Sequence, residues 1–306
     1  MKKIYIAGCG GMLGAAFYEE FKGCFDLKCT DIDVNENWLD YCDIRDFEKY
    51  KKDVIDFTPD YLFHLGALTD LEYCELHCEE AYMTNTLAVE HAVHIANSLD
   101  IPILYISSAG IFNGKKDEYD DWDTPEPLCH YARSKYMGEE YVKLNAKRYL
   151  VFRAGWMMGA GPKKDKKFIQ KIMKQLKQGA TELFIVDDKM GTPTYTNDFA
   201  KNVKLVMEQK LWGIYNLVCQ GMTGRLEVAR ELVSILNIEN EVKITPVSSD
   251  YFKEEYFAAR PPSERLVNRK LDLRNLNIMR HWKIALREYM ENYYDSYLST
   301  QVKEFG

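Results

Sequence analysis

Tyr131 and Lys135 stand four residues apart in the run Tyr131-Ala132-Arg133-Ser134-Lys135. On a helix, that spacing puts both side chains on one face. A phenol is a weak acid, with an ordinary pKa of about 10, and an ammonium beside it stabilises the phenolate and lowers that value. Such a pair can give a proton to a carbonyl oxygen while a hydride reaches the carbonyl carbon. Ser108 lies 23 residues earlier, closing the β-rich run Leu104-Tyr105-Ile106-Ser107-Ser108. Strand ends are where βα folds place reactive groups, and the Ser108 hydroxyl could polarise the same carbonyl. A Tyr-x-x-x-Lys pair alone is common by chance; with a serine at the end of an earlier strand it points to redox chemistry at a carbonyl.

A second group of residues implies the hydride carrier. Gly8-x-x-Gly11-x-x-Gly14, with Met12 and Leu13 inside it, follows an apolar run and opens a helical pattern. Glycine permits a tight turn and lets the backbone approach a pyrophosphate, which the helix N-terminus then attracts with free N–H groups. Asp31 and Asp33 follow the next β-rich run, where an acid commonly bonds the adenosine ribose. A carboxylate there repels a 2′-phosphate, so the expected cofactor is NAD(H), with NADP(H) as the alternative. Asp31, nearer the strand end, is the first choice for that contact.

These groups need a scaffold that brings strand ends together. The spacing predicts strands at Lys3–Ala7, Leu27–Thr30, Tyr61–Leu65, Ile103–Ser107 and Tyr149–Arg153, with helices at Leu13–Phe21, Phe47–Phe57 and Ala81–Ser98. Strand alternating with helix is the mark of a parallel sheet wrapped by helices. Further on, the pattern predicts a basic helix over Lys163–Gln178, a strand at Leu183–Val186, a helix at Thr196–Gln209 and a strand at Gly213–Val218. The expected fold is α/β, a Rossmann-type doubly wound parallel sheet with a smaller C-terminal substrate-binding lobe. Residues 1–158 would form the dinucleotide-binding core, completed by about 188–220, with 159–187 and 221–306 as the lobe.

Composition is that of an ordinary globular chain: 306 residues, 46% apolar and 28% charged, with a formal net charge of -7. No basic stripe runs along it, which argues against nucleic acid as the partner. No apolar run is long enough to cross a bilayer. The start, Met1-Lys2-Lys3-Ile4-Tyr5-Ile6-Ala7-Gly8, reaches glycine too early for a secretory signal. Eight cysteines without a disulfide-like framework suggest reduced thiols and a cytoplasmic protein. Cys74, His77 and Cys78, with His91 and His94 downstream, match no closed zinc pattern, so no metal is expected.

Further stretches complete a pattern. They include Tyr41-Cys42-Asp43-Ile44, His64-Leu65-Gly66-Ala67-Leu68-Thr69, Asn85 and Arg153-Ala154-Gly155-Trp156. Asp188-Lys189-Met190-Gly191-Thr192-Pro193-Thr194 and Ala259-Arg260-Pro261-Pro262-Ser263-Glu264-Arg265-Leu266 follow. In this order, and to about residue 271, the chain resembles the dTDP-4-dehydrorhamnose reductase family of the extended short-chain dehydrogenase/reductase superfamily. The last two stretches are similar to that family's Asp-Gln-x-Gly-x-Pro-Thr and Ala-Arg-Pro-x-x-Ser-x-Leu. The resemblance implies Asp43 and Ile44 near the adenine, Leu65, Gly66 and Ala67 along the cofactor, and Asn85 supporting the site. It implies Lys135 on the nicotinamide ribose, and Ser108, Ala109, Trp156, Lys167 and Arg260 on the substrate side. The implied activity is reduction of a 4-keto nucleotide-activated deoxysugar for a surface polysaccharide or glycan, by a protein that could be a homodimer.

The departures narrow that expectation. Where the family reads Ser-Thr-Asp-Tyr-Val-Phe-Asp-Gly, this chain reads Ser107-Ser108-Ala109-Gly110-Ile111-Phe112-Asn113-Gly114. Ser108 keeps a hydroxyl, but Ala109-Gly110 cannot supply the acid pair of the superfamily's dehydratases. The Ser-Ser-Ala run also resembles nucleotide-sugar epimerases, which keeps epimerisation as the first alternative. A non-catalytic nucleotide-binding regulatory subunit is the second, disfavoured by the intact serine, tyrosine and lysine. Lys167 replaces the family's asparagine, altering a contact expected at the substrate diphosphate. Arg260 beside two prolines is either a loop anchor or a phosphate clamp.

Overall fold

The computed structural model describes the backbone of residues 1–304 and the side chains of residues 1–294. Its centre is a seven-stranded parallel sheet. In chain order the strands are β1 (Lys3–Ala7), β2 (Asp26–Asp31), β3 (Leu39–Tyr41), β4 (Tyr61–His64), β5 (Ile103–Ser108) and β6 (Tyr149–Ala154), with Gly213–Leu217 added at one edge. Across the sheet the order is Gly213–Leu217, β6, β5, β4, β1, β2, β3. The order reverses between β1 and β4, and the crevice outside such a reversal is where open α/β sheets bind ligands.

The central strands β1, β4, β5 and β6 are largely buried and apolar because both faces of the sheet are covered there. Successive side chains point to opposite faces. Ile4 and Ile6 therefore enter one apolar cluster with Phe17, Phe63, Phe152 and Phe199. Tyr5 and Ala7 enter the other, with Val54, Val89, Tyr105 and Val142. Helix α1 (Met12–Phe21) packs on the first face beside the helix Thr196–Glu208, where the Phe17 and Phe199 rings stack at 6.3 Å. Helix α2 (Phe47–Phe57) covers the second face and has its N-terminus capped by Asp46, which accepts from the Lys49 N–H. The first cluster also takes in Leu232, Trp282 and Tyr289, so the C-terminal residues share the core of the sheet.

Four expectations about elements change. Strand β3 was not foreseen; it is three residues long and pairs only with β2, too short to show alternation. The helix expected over Lys163–Gln178 is two, Gly161–Lys164 and Phe168–Lys177. Between them Asp165, 1% exposed, accepts from the Lys167 N–H at 2.7 Å and the Tyr289 hydroxyl at 2.8 Å. That local carboxylate–backbone bond competes with helix. The stretch Ala81–Ser98 contains a π-helical turn at Met83–Leu87, a distortion often found at functional sites. Leu183–Val186 is part of a strand, Glu182–Val186, that pairs with Lys243–Val247 outside the main sheet.

Candidate active site

The reversal of strand order brings the turn after β1 against the turn after β4. Gly8 has φ +77°, and a Cβ there would lie 2.1 Å from the Gly66 nitrogen. Only glycine tolerates both the conformation and the contact. Around Gly11 the space is open, with nothing within 4 Å of where a Cβ would be. Helix α1 begins there without a side-chain cap or an acid in its first turn. Its first N–H groups and positive dipole end are therefore available to an anion. Ile44 packs its Cδ1 2.5 Å from a would-be Cβ on Gly66, which places the Cys42–Ile44 stretch and the Leu65–Ala67 stretch side by side.

Catalytic candidates meet at the ends of β5 and the helix His130–Asn145. That helix lacks a side-chain cap from Cys129; instead Glu75, from the helix Leu71–Leu76, accepts from the His130 N–H at 2.6 Å. Ser108 accepts from the Gly110 N–H at 3.1 Å, which fixes its oxygen and leaves its own hydrogen to donate. A methyl group built on Gly110 would stand 3.4 Å from the Ser108 Oγ and 3.9 Å from the Tyr131 Cε1. The serine and tyrosine thus border one small space.

Burial pushes the Tyr131 phenol up to about 12, against the Ser108 hydroxyl, which lowers it, while the Glu264 charge raises it further. Lys135 is 3% exposed, and burial pulls its ammonium down to about 7. Its Nζ lies 4.2 Å over the Tyr105 ring and makes no hydrogen bond among the described residues. A buried ammonium without a protein acceptor, on the helix that carries Tyr131, fits the hydroxyls of a ribose. His64 is buried as well, with Nε2 unpaired and Nδ1 against the Tyr50 hydroxyl at 3.2 Å. Burial, with the Lys135 charge adding to it, pulls this imidazole down to about 3, so it stays neutral.

Several residues expected to touch ligands already hold the protein together. Asp31 accepts from the Gly10 N–H at 2.8 Å and the Asp33 N–H at 2.9 Å, so it shapes the glycine turn whatever it does for a ribose. Asp43 is tied to Arg45, whose guanidinium holds its carboxyl below the usual range. Asn85 spends its amide on Leu68 and on the Ser134 hydroxyl, linking the π-helical turn to the helix that carries Lys135. Arg260 forms a double ion pair with Glu72 at 2.6 and 2.9 Å, which makes it a loop anchor rather than a free phosphate clamp. Lys167 reaches Thr69 across the cleft at 3.2 Å. Ala109 is 2% exposed and brings no functional side chain.

Two residues at the cleft, Glu264 and Arg225, have no role in the sequence reading, and a third, Lys164, enters it only within the basic helix expected over Lys163–Gln178. Glu264 accepts from the Trp156 indole N–H at 2.6 Å. Arg225 lays its guanidinium 3.7 Å over the Trp156 ring and 4.6 Å over Phe168. It makes no side-chain hydrogen bond among the described residues, and burial lowers it to about 10. Lys164 donates to the Gly10 carbonyl at 2.9 Å and to Asn35 at 2.8 Å, closing a clasp over the glycine turn. Glu264 stood inside a quoted motif, so its departure from serine was a readable signal. Nothing local marks Arg225, and Lys164 is marked only as one of a run of lysines; chain folding alone brings them in.

Residues 1–295 match the family described as RmlD substrate binding domain. The spore coat polysaccharide biosynthesis protein SpsK of Bacillus subtilis is 27% identical over 292 residues, 95% of this chain and 98% of the relative. A crystal structure of a dTDP-4-dehydrorhamnose reductase from Clostridium acetobutylicum superposes with a TM-score of 0.85 at 30% identity, covering 94% of this chain and 98% of that one. The dTDP-4-dehydrorhamnose reductase of Bacillus anthracis, solved in complex with NADP, gives 0.85 at 26% identity over 95% of this chain and all of the other. Among the described residues, no helix is long and apolar enough to cross a membrane.

Proposed function

The chain belongs to the RmlD substrate binding domain family, and from that premise we propose that it uses NAD(P)H to reduce the 4-keto group of a nucleotide-activated deoxysugar. The product would feed a surface polysaccharide or glycan. The observation that carries this reading is the meeting of Ser108 and Tyr131 around one small space, with an unpaired buried Lys135 on the same helix as the tyrosine.

In this reading Ser108, oriented by the Gly110 N–H, donates a hydrogen bond to the sugar carbonyl. Tyr131 gives its proton to the same oxygen as negative charge develops there. The Lys135 ammonium sits one turn further along the helix and stabilises the phenolate left behind. When bound, reduced nicotinamide supplies the hydride. Lys135 also has its free donors for the ribose hydroxyls, and the first turn of α1 meets the pyrophosphate. Arg225, stacked and otherwise unbonded, is the natural partner for the sugar's diphosphate. Asp31 favours NADH over NADPH, to be checked by fluorescence titration. The reading includes a cytoplasmic location. It also includes a homodimer, supported by exposed Met83, Leu87 and Met137 on neighbouring helices.

The deciding experiment follows cofactor absorbance with a 4-keto nucleotide sugar. We expect one cofactor oxidised per sugar reduced, from a protein that purifies largely free of dinucleotide. The Ser107-Ser108-Ala109 run favours a second reading, epimerisation. Firmly retained NAD⁺, with redox-neutral conversion of a 4-hydroxy nucleotide sugar, would replace the first reading with the second.

A further inference from the structure

Ser108 and Tyr131 border the room that Gly110 leaves beside them, and Glu264 reaches into it from the third side. A methyl group on Gly110 would stand 3.1 Å from the Glu264 Oε1, closer than to either catalytic candidate. Glu264 lies in the short strand Ser263–Glu264, which pairs in parallel with Met190–Gly191 and so aims from the lobe toward the end of β5. Its Oε2 is held by the Trp156 indole N–H at 2.6 Å. Its Oε1 has no hydrogen bond among the described residues, and neither oxygen forms an ion pair there. Arg225 sits on the face of Trp156 rather than on the carboxylate. The indole is gripped at its edge and covered on its face, so Glu264 is steadied without being neutralised.

The two departures from the family pattern belong together. Gly110 stands where the family motif has tyrosine, and Glu264 stands where Ala-Arg-Pro-x-x-Ser-x-Leu has serine. The side chain lost at one position has its room taken by the longer, charged side chain gained at the other. A half-shielded carboxylate oxygen needs a donor, and leaving it unpaired when a ligand excludes water is costly.

We propose that Glu264 determines substrate specificity by accepting a hydrogen bond from the hydroxyl on the ring carbon beside the carbonyl that Ser108 and Tyr131 hold. This rests on the reductase reading above. Ser108 Oγ and Glu264 Oε1 stand 3.4 and 3.1 Å from the same would-be Cβ on Gly110, near enough to one another for a single sugar ring to meet both. In a 4-keto hexopyranose the neighbours of the carbonyl carbon are C5, which carries C6, and C3, which carries the hydroxyl. The C3 hydroxyl is therefore the donor. The charge of Glu264 already reaches the reacting phenol, since it adds to the upward push on Tyr131.

The test compares a dTDP-linked 4-keto-6-deoxyhexose with its 3-deoxy analogue, using wild type, Glu264→Gln and Glu264→Ser. In the wild type kcat/KM should favour the 3-hydroxy sugar by at least about a hundredfold, since a site built to bond a hydroxyl rejects the analogue without it. In Glu264→Ser the ratio should fall below about tenfold, with most of the change in the 3-hydroxy sugar. Affinities for dTDP alone and for the dinucleotide, measured by calorimetry, should stay within about twofold of wild type, as expected for an intact fold. An unchanged ratio in both variants, or no discrimination by the wild type, overturns the assignment while leaving the reductase reading in place. Turnover of neither sugar by the wild type removes the reductase reading and this inference with it.

Discussion

Tyr131 and Lys135 are affected by burial in opposite senses. Burial raises the tyrosine to about 12 and lowers the lysine to about 7. A neutral phenol is the form needed to donate a proton, so Tyr131 holds its proton at neutral pH; burial outweighs the lowering that the Tyr-x-x-x-Lys spacing predicts. Tyr131→Phe should retain dinucleotide binding and lose at least about a hundredfold in turnover, the usual contribution of a positioned general acid. Turnover close to wild type would remove Tyr131 from the mechanism. Lys135 contributes to stability with the opposite sign to an ordinary paired lysine. Its folded pKa lies below its unfolded one, so the unfolded chain binds more protons between about pH 7 and the ordinary lysine range. Stability should rise with pH across that window, because the cost of burying the charge is full below it and vanishes above it. Lys135→Met should flatten this rise and increase Tm at neutral pH, while turnover collapses. Thermal melts across the window check it; a lower Tm in the variant would show that the ammonium is stabilised by something other than a ligand.

At the scale of elements, the helix His130–Asn145, which carries Tyr131 and Lys135, is fixed to the sheet by a buried ion pair. Arg153 on β6 meets Glu139 at 2.6 Å, with side chains 5% and 0% exposed, and also donates to the Asp121 carbonyl. Breaking one partner of such a pair leaves an unpaired buried charge, which costs about 3–5 kcal/mol. Glu139→Gln should therefore lower the urea midpoint by that amount of stability without changing the m-value. A loss below about 1 kcal/mol would mean that Arg153 finds another acceptor. The sequence had offered Arg153 as part of a family motif, and the structure gives the motif's arginine its physical task. At the other end of the helix, Glu75 supplies from 55 residues away the cap that Cys129 does not.

At the scale of the molecule, the sheet and the C-terminal residues share one apolar cluster, from Ile4 on β1 to Tyr294 on the helix Trp282–Glu304. We propose that the substrate lobe, residues 159–187 and 221–306, does not melt separately from the dinucleotide-binding part. Scanning calorimetry of the ligand-free protein should show one transition, coincident with loss of far- and near-ultraviolet dichroism. Two resolved transitions would show that the lobe has a core of its own. Leu226 and Met157, the chain neighbours of Arg225 and Trp156, lie in or pack against that same cluster.

The sequence by itself determined the parallel sheet, the glycine turn, and the order of Ser108, Tyr131 and Lys135. Each of these is written in local periodicity or in a spacing that a helix or strand converts directly into position. It could not show that Asp31, Asp43, Asn85 and Arg260 are already bonded to Gly10, Arg45, Leu68 and Glu72, since polar side chains choose partners by proximity in space. Nor could it bring Arg225 and Lys164 to the cleft, or reveal that Glu264 fills the room left at Gly110. Those contacts join residues as much as 188 positions apart. Only the reversal of strand order and the packing of the C-terminal residues over the strand ends decide them, because a contact between distant segments leaves no period in the chain to read.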